Sequence, residues 1–316
     1  MEKAIGGYFE LELKQGKNYI HSNLLALNSA RNCLEFIITN KKYSKIYIPY
    51  FTCDVILEPL LKLNVEYSFY DVDNKLEPIF DYNILNNDEA ILITNYFGIK
   101  SNYIKKISSE VRNIIVDNAQ ALFDLPIKDV DTFYSPRKFI GIPDGGFTTN
   151  NLNLNINFEQ DLSLDRTEHL LKRIELGAEE GYNDFKKNDQ SISNQPIKSI
   201  SNLSLSIIKS VDFSEISKIR RENFNHLHKK LKNNNKVEFD LNENFVPMVY
   251  PYRVDNAEKI KKVLIENKIF CATYWPNVFD WCGKEKNSYH LTNEIISLPI
   301  DQRYNLDDMK KILEYV

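Results

Sequence analysis

Residues 113–120 read NIIVDNAQ, three consecutive branched apolar residues that run straight into Asp117, Asn118 and Gln120. An amphipathic helix would space its apolar residues three or four apart, and a strand with one wet face would alternate them. An unbroken Ile-Ile-Val run therefore marks a strand covered on both faces. The same reading extends outward. KIYIPY (45–50), EYSFYDV (66–72), AILITNYFG (90–98), DTFYSP (131–136) and GGFTTN (145–150) are short runs of this kind, closed by polar or Gly/Pro punctuation. SARNCLEFIITNKK (29–42) and DVILEPLLKLN (54–64) carry helical spacing around them. Strands alternating with helices predict an α/β fold with a mostly parallel central sheet flanked by helices.

Past residue 150 the character changes. Residues 151–195 are rich in Asn, Asp, Glu and Lys, with helical pieces in DRTEHLLKRIELGAEEGYNDF (165–185). A long helix is expected over 212–232. MVYPYRV, AEKIKKVLIENKI, FCATYW, IISLPI and NLDDMKKILEYV then read as a strand-helix-strand-strand-helix unit. The division expected is an N-terminal arm with a large domain over 1–205, and a smaller C-terminal α+β domain over 206–316.

The 316 residues suffice to bury roughly three quarters of the unfolded surface. With 43% hydrophobic and 27% charged residues, the composition is close to that of soluble globular proteins and far from that of disordered chains. The net charge is −4, and the densest basic run, KIRRENFNHLHKKLK (218–232), alternates with apolar residues at helical spacing. It reads as a solvated helix face, which argues against a nucleic-acid partner. No window suits a membrane span, and the first residues lack the apolar core of a secretion signal, so a cytoplasmic location is expected. Cys33, Cys53, Cys271 and Cys282 are scattered without a C-x-x-C pair, so they are expected to be buried reduced thiols, with no metal site.

In an open α/β sheet, ligands bind beyond the carboxyl ends of the strands. Four stations lie there. Asn28, Ser29 and Ala30 precede a helix whose first N–H groups could hold a phosphate, helped by the Ser29 hydroxyl and the Arg31 guanidinium; plain N-capping by Asn28 or Ser29 is the alternative. Asp117 ends a buried strand, where a carboxylate needs a partner such as a protonated ring nitrogen, or else caps a helix or meets solvent. Asn95 and Tyr96 reach the same rim. Lys138 follows an aromatic run, with Ser135 three residues before it; desolvation among aromatic groups would make it an amine nucleophile toward an aldehyde, while a loop lysine is the plain reading. A phosphate cradle, a carboxylate for a pyridine nitrogen, an aromatic rim and an amine are the parts pyridoxal phosphate requires.

With GGYFE (6–10), NSARNCLEF (28–36), IPYFTCD (48–54), NYFG (95–98), VDNAQA (116–121), SPRKFIGIPDGG (135–146) and SLPIDQRY (297–304) in this order, the chain resembles the DegT/StrS family of sugar aminotransferases, fold-type I pyridoxal-phosphate enzymes. The resemblance implies that Lys138 forms the Schiff base, that Asp117 pairs with the pyridine nitrogen, and that Gln120 lies near the ring hydroxyl. It matches Ser29, Ala30 and Arg31 to the phosphate turn, and Gly145 and Gly146 to the family's Gly-Gly turn. It further implies a homodimer with active sites at the interface, and transfer of an amino group from glutamate to a nucleotide-linked keto-deoxysugar for surface polysaccharide such as O-antigen.

The chain departs from the family at three places. Phe133 stands where a phosphate-contacting serine is usual, with Ser135 as a substitute. Cys53 stands where an aromatic residue stacks on the cofactor, leaving Tyr50, Phe51 or Tyr96 to replace it. The Asn-Tyr-Arg run that reaches across the dimer is missing between the Gly-Gly turn and the long helix. Tyr8, Arg31 and Trp275 are candidate substrate contacts, with core or surface roles the alternative for each. Two other functions stay open: a pyridoxal-phosphate-dependent sugar dehydratase, and a binding or regulatory protein that keeps the fold without turnover.

Overall fold

The computed structural model describes residues 5–14, 16, 19–152, 154 and 156–316. Its centre is an eight-stranded sheet. In chain order the strands are β1 (Leu25–Leu27), β2 (Lys45–Pro49), β3 (Glu66–Val72), β4 (Pro78–Ile79), β5 (Glu89–Thr94), β6 (Ile114–Asn118), β7 (Asp131–Tyr134) and β8 (Gly146–Thr148). They lie in the order β1-β8-β7-β6-β5-β2-β3-β4. The run from β3 through β2, β5 and β6 to β7 is parallel, while β8, β1 and β4 join antiparallel at the ends. After β2 the chain pairs β3 on one side and then crosses to β5 on the other. That reversal leaves a crevice beyond the carboxyl ends of β2 and β5.

The apolar runs are buried on both faces, as their lack of alternation requires. Along β5, Ile91 and Ile93 enter one core with Val116, Tyr134 and Phe147. Ala90 and Leu92 enter another with Ile115, Phe133 and the inner side of helix α1 (Ala30–Lys41). Full burial of such a side chain is worth roughly 1.5–3 kcal/mol, so the two-sided pattern of β5 and β6 anchors the sheet. Helices α2 (Leu57–Lys62) and α3 (Ser101–Glu110) follow β2 and β5.

The acidic, Asn-rich stretch forms α4 (Glu168–Glu175) and α5 (Tyr182–Ser191). Residues 196–211 have no clear helical spacing, yet α6 (Asn202–Ser210) forms there. Ser201 caps it, and buried Asp144 of the Pro-Asp-Gly-Gly turn accepts from the Ser201 N–H (2.8 Å) and hydroxyl (2.5 Å). The long helix is α7 (Phe213–Leu231).

A third core gathers Phe224 and Leu227 of α7 with residues of β9 (Tyr250–Arg253), α8 (Ala257–Glu266), β10 (Ile295–Leu298) and α11 (Leu306–Leu313). β9 and β10 form a separate antiparallel pair. Between α8 and β10 lie two short helices, α9 (Val278–Trp281) and α10 (Asn287–Glu294).

Three expectations are corrected here. FCATYW is not a strand: its aromatic and branched residues favour extended pairing in isolation, but Trp275 packs edge-on against Phe51 at 5.1 Å, and the Asn277 amide donates to the Thr52 carbonyl (3.0 Å). The segment is held against the rim of the large sheet instead of joining β9 and β10. The basic run on α7 is not wholly solvated, because Arg220 is buried and donates to the carbonyls of Pro247 (3.2 Å) and Met248 (2.9 Å). Of the four free thiols, only Cys33 is fully buried; the other three are half-buried. Among the described residues, no helix is long and apolar enough to cross a membrane.

Candidate active site

A cavity of about 270 Å³ opens at the crevice. Its floor is a row of strand ends in register, Thr94 of β5 beside Asp117 of β6 beside Phe133 of β7. Parallel neighbours in register point the same way, so one strand-end row presents all three side chains to one space. Ser29, Ala30, Arg31, Gln120, Ser135, Lys138 and Trp275 also line it. The structure thus brings together Asp117 and these seven positions, all singled out from sequence, with Cys53, Phe133 and Gly145. Tyr96 and Tyr8 are not among the lining residues. Tyr96 is buried behind the rim, with its hydroxyl donating to the Phe51 carbonyl (2.8 Å), and Tyr8 is 98% exposed on the arm.

The Asp117 Oδ1 accepts from the Ala119 N–H at 2.8 Å. Burial raises its carboxyl above the ordinary aspartate value, against the opposing pull of the Lys138 charge, the Ala119 N–H and the Thr94 hydroxyl. The site holds a carboxylate that is short of positive partners. Gln120 Oε1 accepts from the Phe97 N–H (2.8 Å), which fixes the amide, while its Nε2 is buried with no partner among the described residues.

Lys138 ends a short 3₁₀ turn, Pro136–Lys138, that follows β7. Its side chain is exposed at the cavity, and its ammonium makes no hydrogen bond or ion pair among the described residues. The burial expected of this lysine is not seen: Lys138 is exposed, while its neighbours Phe139 and Ile140 lie in the core and Phe133, Tyr274 and Trp275 line the same cavity. The turn is clamped from the C-terminal part of the chain. Gln302, from the SLPIDQRY stretch, donates to the Phe139 carbonyl (2.7 Å) and accepts from Arg220 Nε (3.1 Å), and the Arg220 guanidinium lies 4.7 Å over the Phe139 ring. Burial pushes the Arg220 guanidinium down to about 10. The sequence places Gln302 in a matching motif but gives no sign of what it touches.

At the amino end of α1, Ser29 is the N-cap. Its hydroxyl accepts from the Asn32 N–H (3.1 Å) and donates to Asn32 Oδ1 (2.6 Å), so the structure shows the plain N-cap, in a residue that also lines the cavity. The Gly-Gly turn seats directly on it. A Cβ on Gly146 would stand 2.6 Å from the Ser29 carbonyl and 2.7 Å from the Ala30 nitrogen, and Gly145 takes φ +130° while its N–H donates to the Asn28 carbonyl (2.8 Å). Only glycine permits that approach.

The remaining lining was not legible from sequence. Arg137, Asp189 of α5 and Tyr274 all face the cavity. Asp189 pairs with Arg137 at 3.2 Å and with Arg31 at 3.7 Å. Arg31 also donates to the Ser193 hydroxyl (2.9 Å) and lies 3.7 Å from Glu58. Cys53 lines the cavity, and burial raises its thiol, with the Lys138 charge opposing. Of its proposed aromatic replacements none reaches the lining: Tyr50 stacks on Phe69 at 4.7 Å, and Phe51 and Tyr96 lie in the core.

No family model matches the sequence, and no curated protein is similar to it. Solved structures are similar in fold. NtdA from Bacillus subtilis, with bound cofactor PMP, aligns with a TM-score of 0.64 at 14% identity, over 92% of this chain and 72% of that one. The sugar aminotransferase CalS13 from Micromonospora echinospora aligns at 0.61 and 13% identity over 92% and 86%. A DegT DnrJ EryC1 StrS aminotransferase from Brucella abortus aligns at 0.60 and 17% identity over 92% and 84%. The chain therefore has the fold of these fold-type I aminotransferases.

Proposed function

We propose that the protein is a pyridoxal-phosphate-dependent sugar aminotransferase, which takes an amino group from glutamate and delivers it to a nucleotide-linked keto-deoxysugar. The observation that carries this reading is the convergence of Asp117 and Lys138 on one cavity, with the amino end of α1 in the same wall. The donor set fits the cofactor. Among the described residues, Gln120 Nε2 and Arg137 Nε are buried donors without partners, and Asp117 is a carboxyl whose charge burial penalises. Ser29, Ala30 and Ser135 would hold the phosphate, and Gln120 the ring hydroxyl.

When bound, pyridoxal phosphate supplies an aldehyde carbon and a ring that takes up the electron pair of a breaking C–H bond. The chain supplies the rest. The Lys138 amine would be the nucleophile toward that aldehyde and the base that takes up the proton of the breaking C–H bond. The Asp117 carboxylate keeps a proton on the ring nitrogen, an arrangement that satisfies the buried charge as well. Trp275 and Tyr274 line the cavity from the C-terminal part, and Trp275 is braced there edge-on against Phe51. Homodimerisation, with the partner completing the exposed side of Lys138, and a cytoplasmic setting in polysaccharide synthesis belong to the same reading.

The test is spectroscopic. Purified protein with pyridoxal phosphate is expected to show a visible band that bleaches on glutamate and returns with 2-oxoglutarate. A stable band indifferent to glutamate would redirect the reading to another donor or to dehydration, and no band would end it.

A further inference from the structure

We propose that Arg137, together with Arg31, holds the phosphate monoester of the cofactor, and that Asp189 occupies this anion position until the phosphate arrives. The proposal rests on the cofactor assignment above and adds a residue to it. The Asp189 carboxylate stands where an anion would stand between two guanidinium groups, 3.2 Å from Arg137 and 3.7 Å from Arg31. Exposure separates the partners: the side chain of Asp189 is 46% exposed, against 14% for Arg137 and 10% for Arg31. The carboxylate can swing into water, and the two cations cannot.

Nothing local requires a carboxylate at this point. Asp189 lies in the last turn of α5, where the helix dipole disfavours negative charge. Arg31 would remain anchored without it by the Ser193 hydroxyl and Glu58. Arg137 has no other ion-pair partner among the described residues, and its Nε is buried and unpaired. Burial disfavours the Arg137 charge, which the Asp189 carboxylate only partly offsets. A phosphate monoester brings about −1.5 to −2 charges and three acceptor oxygens, enough to take both guanidinium groups at once. Arg137 immediately precedes Lys138, so the phosphate grip and the proposed Schiff-base amine would be set by one turn.

The test compares pyridoxal phosphate with pyridoxal, which lacks the phosphate, by equilibrium titration followed through the visible band and tryptophan fluorescence. Arg137→Met is expected to weaken pyridoxal phosphate about 10- to 100-fold, the loss of a charge-assisted grip, and to leave pyridoxal unchanged. Arg137→Lys recovers part of the loss, and Asp189→Asn binds pyridoxal phosphate more tightly than the wild type. Equal weakening of both ligands by Arg137→Met would overturn the proposal, as would weaker binding in Asp189→Asn. So would unchanged pyridoxal phosphate affinity with loss of affinity for a nucleoside diphosphate, which would assign the arginine to the substrate. Should Arg137→Met fail to fold by near-ultraviolet circular dichroism, the lysine and Asp189→Asn variants decide alone. Should the wild type show no band, the cofactor assignment falls, and inorganic phosphate becomes the probe. Phosphate bound by the wild type but not by Arg137→Met keeps the anion site, and phosphate ignored by both removes it.

Discussion

One part of the cavity lining is a row of strand ends, and the other is assembled from distant segments. Thr94, Asp117 and Phe133 lie side by side because β5, β6 and β7 are parallel and in register, and Ser135 and Lys138 follow on the next turn. Arg31, Asp189 and Tyr274 come from three separate helices and loops, and ion pairs and ring packing hold them in place. In the first part a residue's position follows from its place in a strand. In the second it follows from what the residue meets across the molecule. The chemistry proposed here divides the same way: proton transfer and ring charge belong to the strand ends, and ligand grip and cover to the assembled part.

The sharpest way to break this division is Lys138→Ala. If the strand-end row carries the chemistry, turnover falls on the order of 10³- to 10⁴-fold and the visible band of bound cofactor is lost, with the fold retained by circular dichroism because the side chain is exposed. A variant that keeps its band would move the nucleophile elsewhere. Asp117→Asn comes next. Removal of the only carboxylate in the strand-end row is expected to lower kcat on the order of 10²- to 10³-fold with a smaller change in KM, as measured by amino transfer from glutamate.

The same division governs what the sequence revealed. β6 is readable because three branched apolar residues in succession have few other uses, and Asp117 stands out because such a run ends on it. Lys138, Gly145 and Gly146 are readable for similar local reasons. FCATYW misleads because its composition suits a strand, while its packing is decided by Phe51 and Thr52, more than 200 residues away in sequence. Asp189 is one of many acidic residues in 151–195, and Arg137 is masked by its neighbour Lys138; the cavity and the salt bridge between them mark both. Cys53 and Phe133 pull the other way. The resemblance calls for an aromatic ring and a hydroxyl there, and the structure puts a thiol and a buried ring in the lining instead.

Gly146→Ala tests how tightly the two parts are joined. The added methyl meets Ser29 and Ala30 backbone atoms at 2.6–2.7 Å, none of which can rotate away. The expected cost is about 1–3 kcal/mol of stability by denaturant unfolding, together with weaker cofactor binding as the amino end of α1 is pushed off. A neutral outcome would mean that the Gly-Gly turn and the helix are not in the contact described.

The smallest effect is the most direct probe of the buried carboxylate. Burial raises Asp117 above its ordinary value near 3.8, so the folded, cofactor-free protein takes up this proton more readily than the unfolded chain. Its contribution to stability is complete below the ordinary value and is lost as pH rises through the folded one. At neutral pH the ionised carboxylate is thus a cost to the cofactor-free fold. An amide in its place would keep an oxygen for the Ala119 N–H and carry no charge to desolvate, so Asp117→Asn should melt higher than the wild type at neutral pH, with the gap closing as the solution is acidified. Thermal melts of both proteins from about pH 4 to 8, with and without pyridoxal phosphate, measure this. With the cofactor bound the order should reverse, because the carboxylate then has a cation to meet. If the variant is instead the less stable without cofactor at neutral pH, the Lys138 charge outweighs burial at Asp117, and the strand-end row is an ion pair already satisfied before any ligand enters.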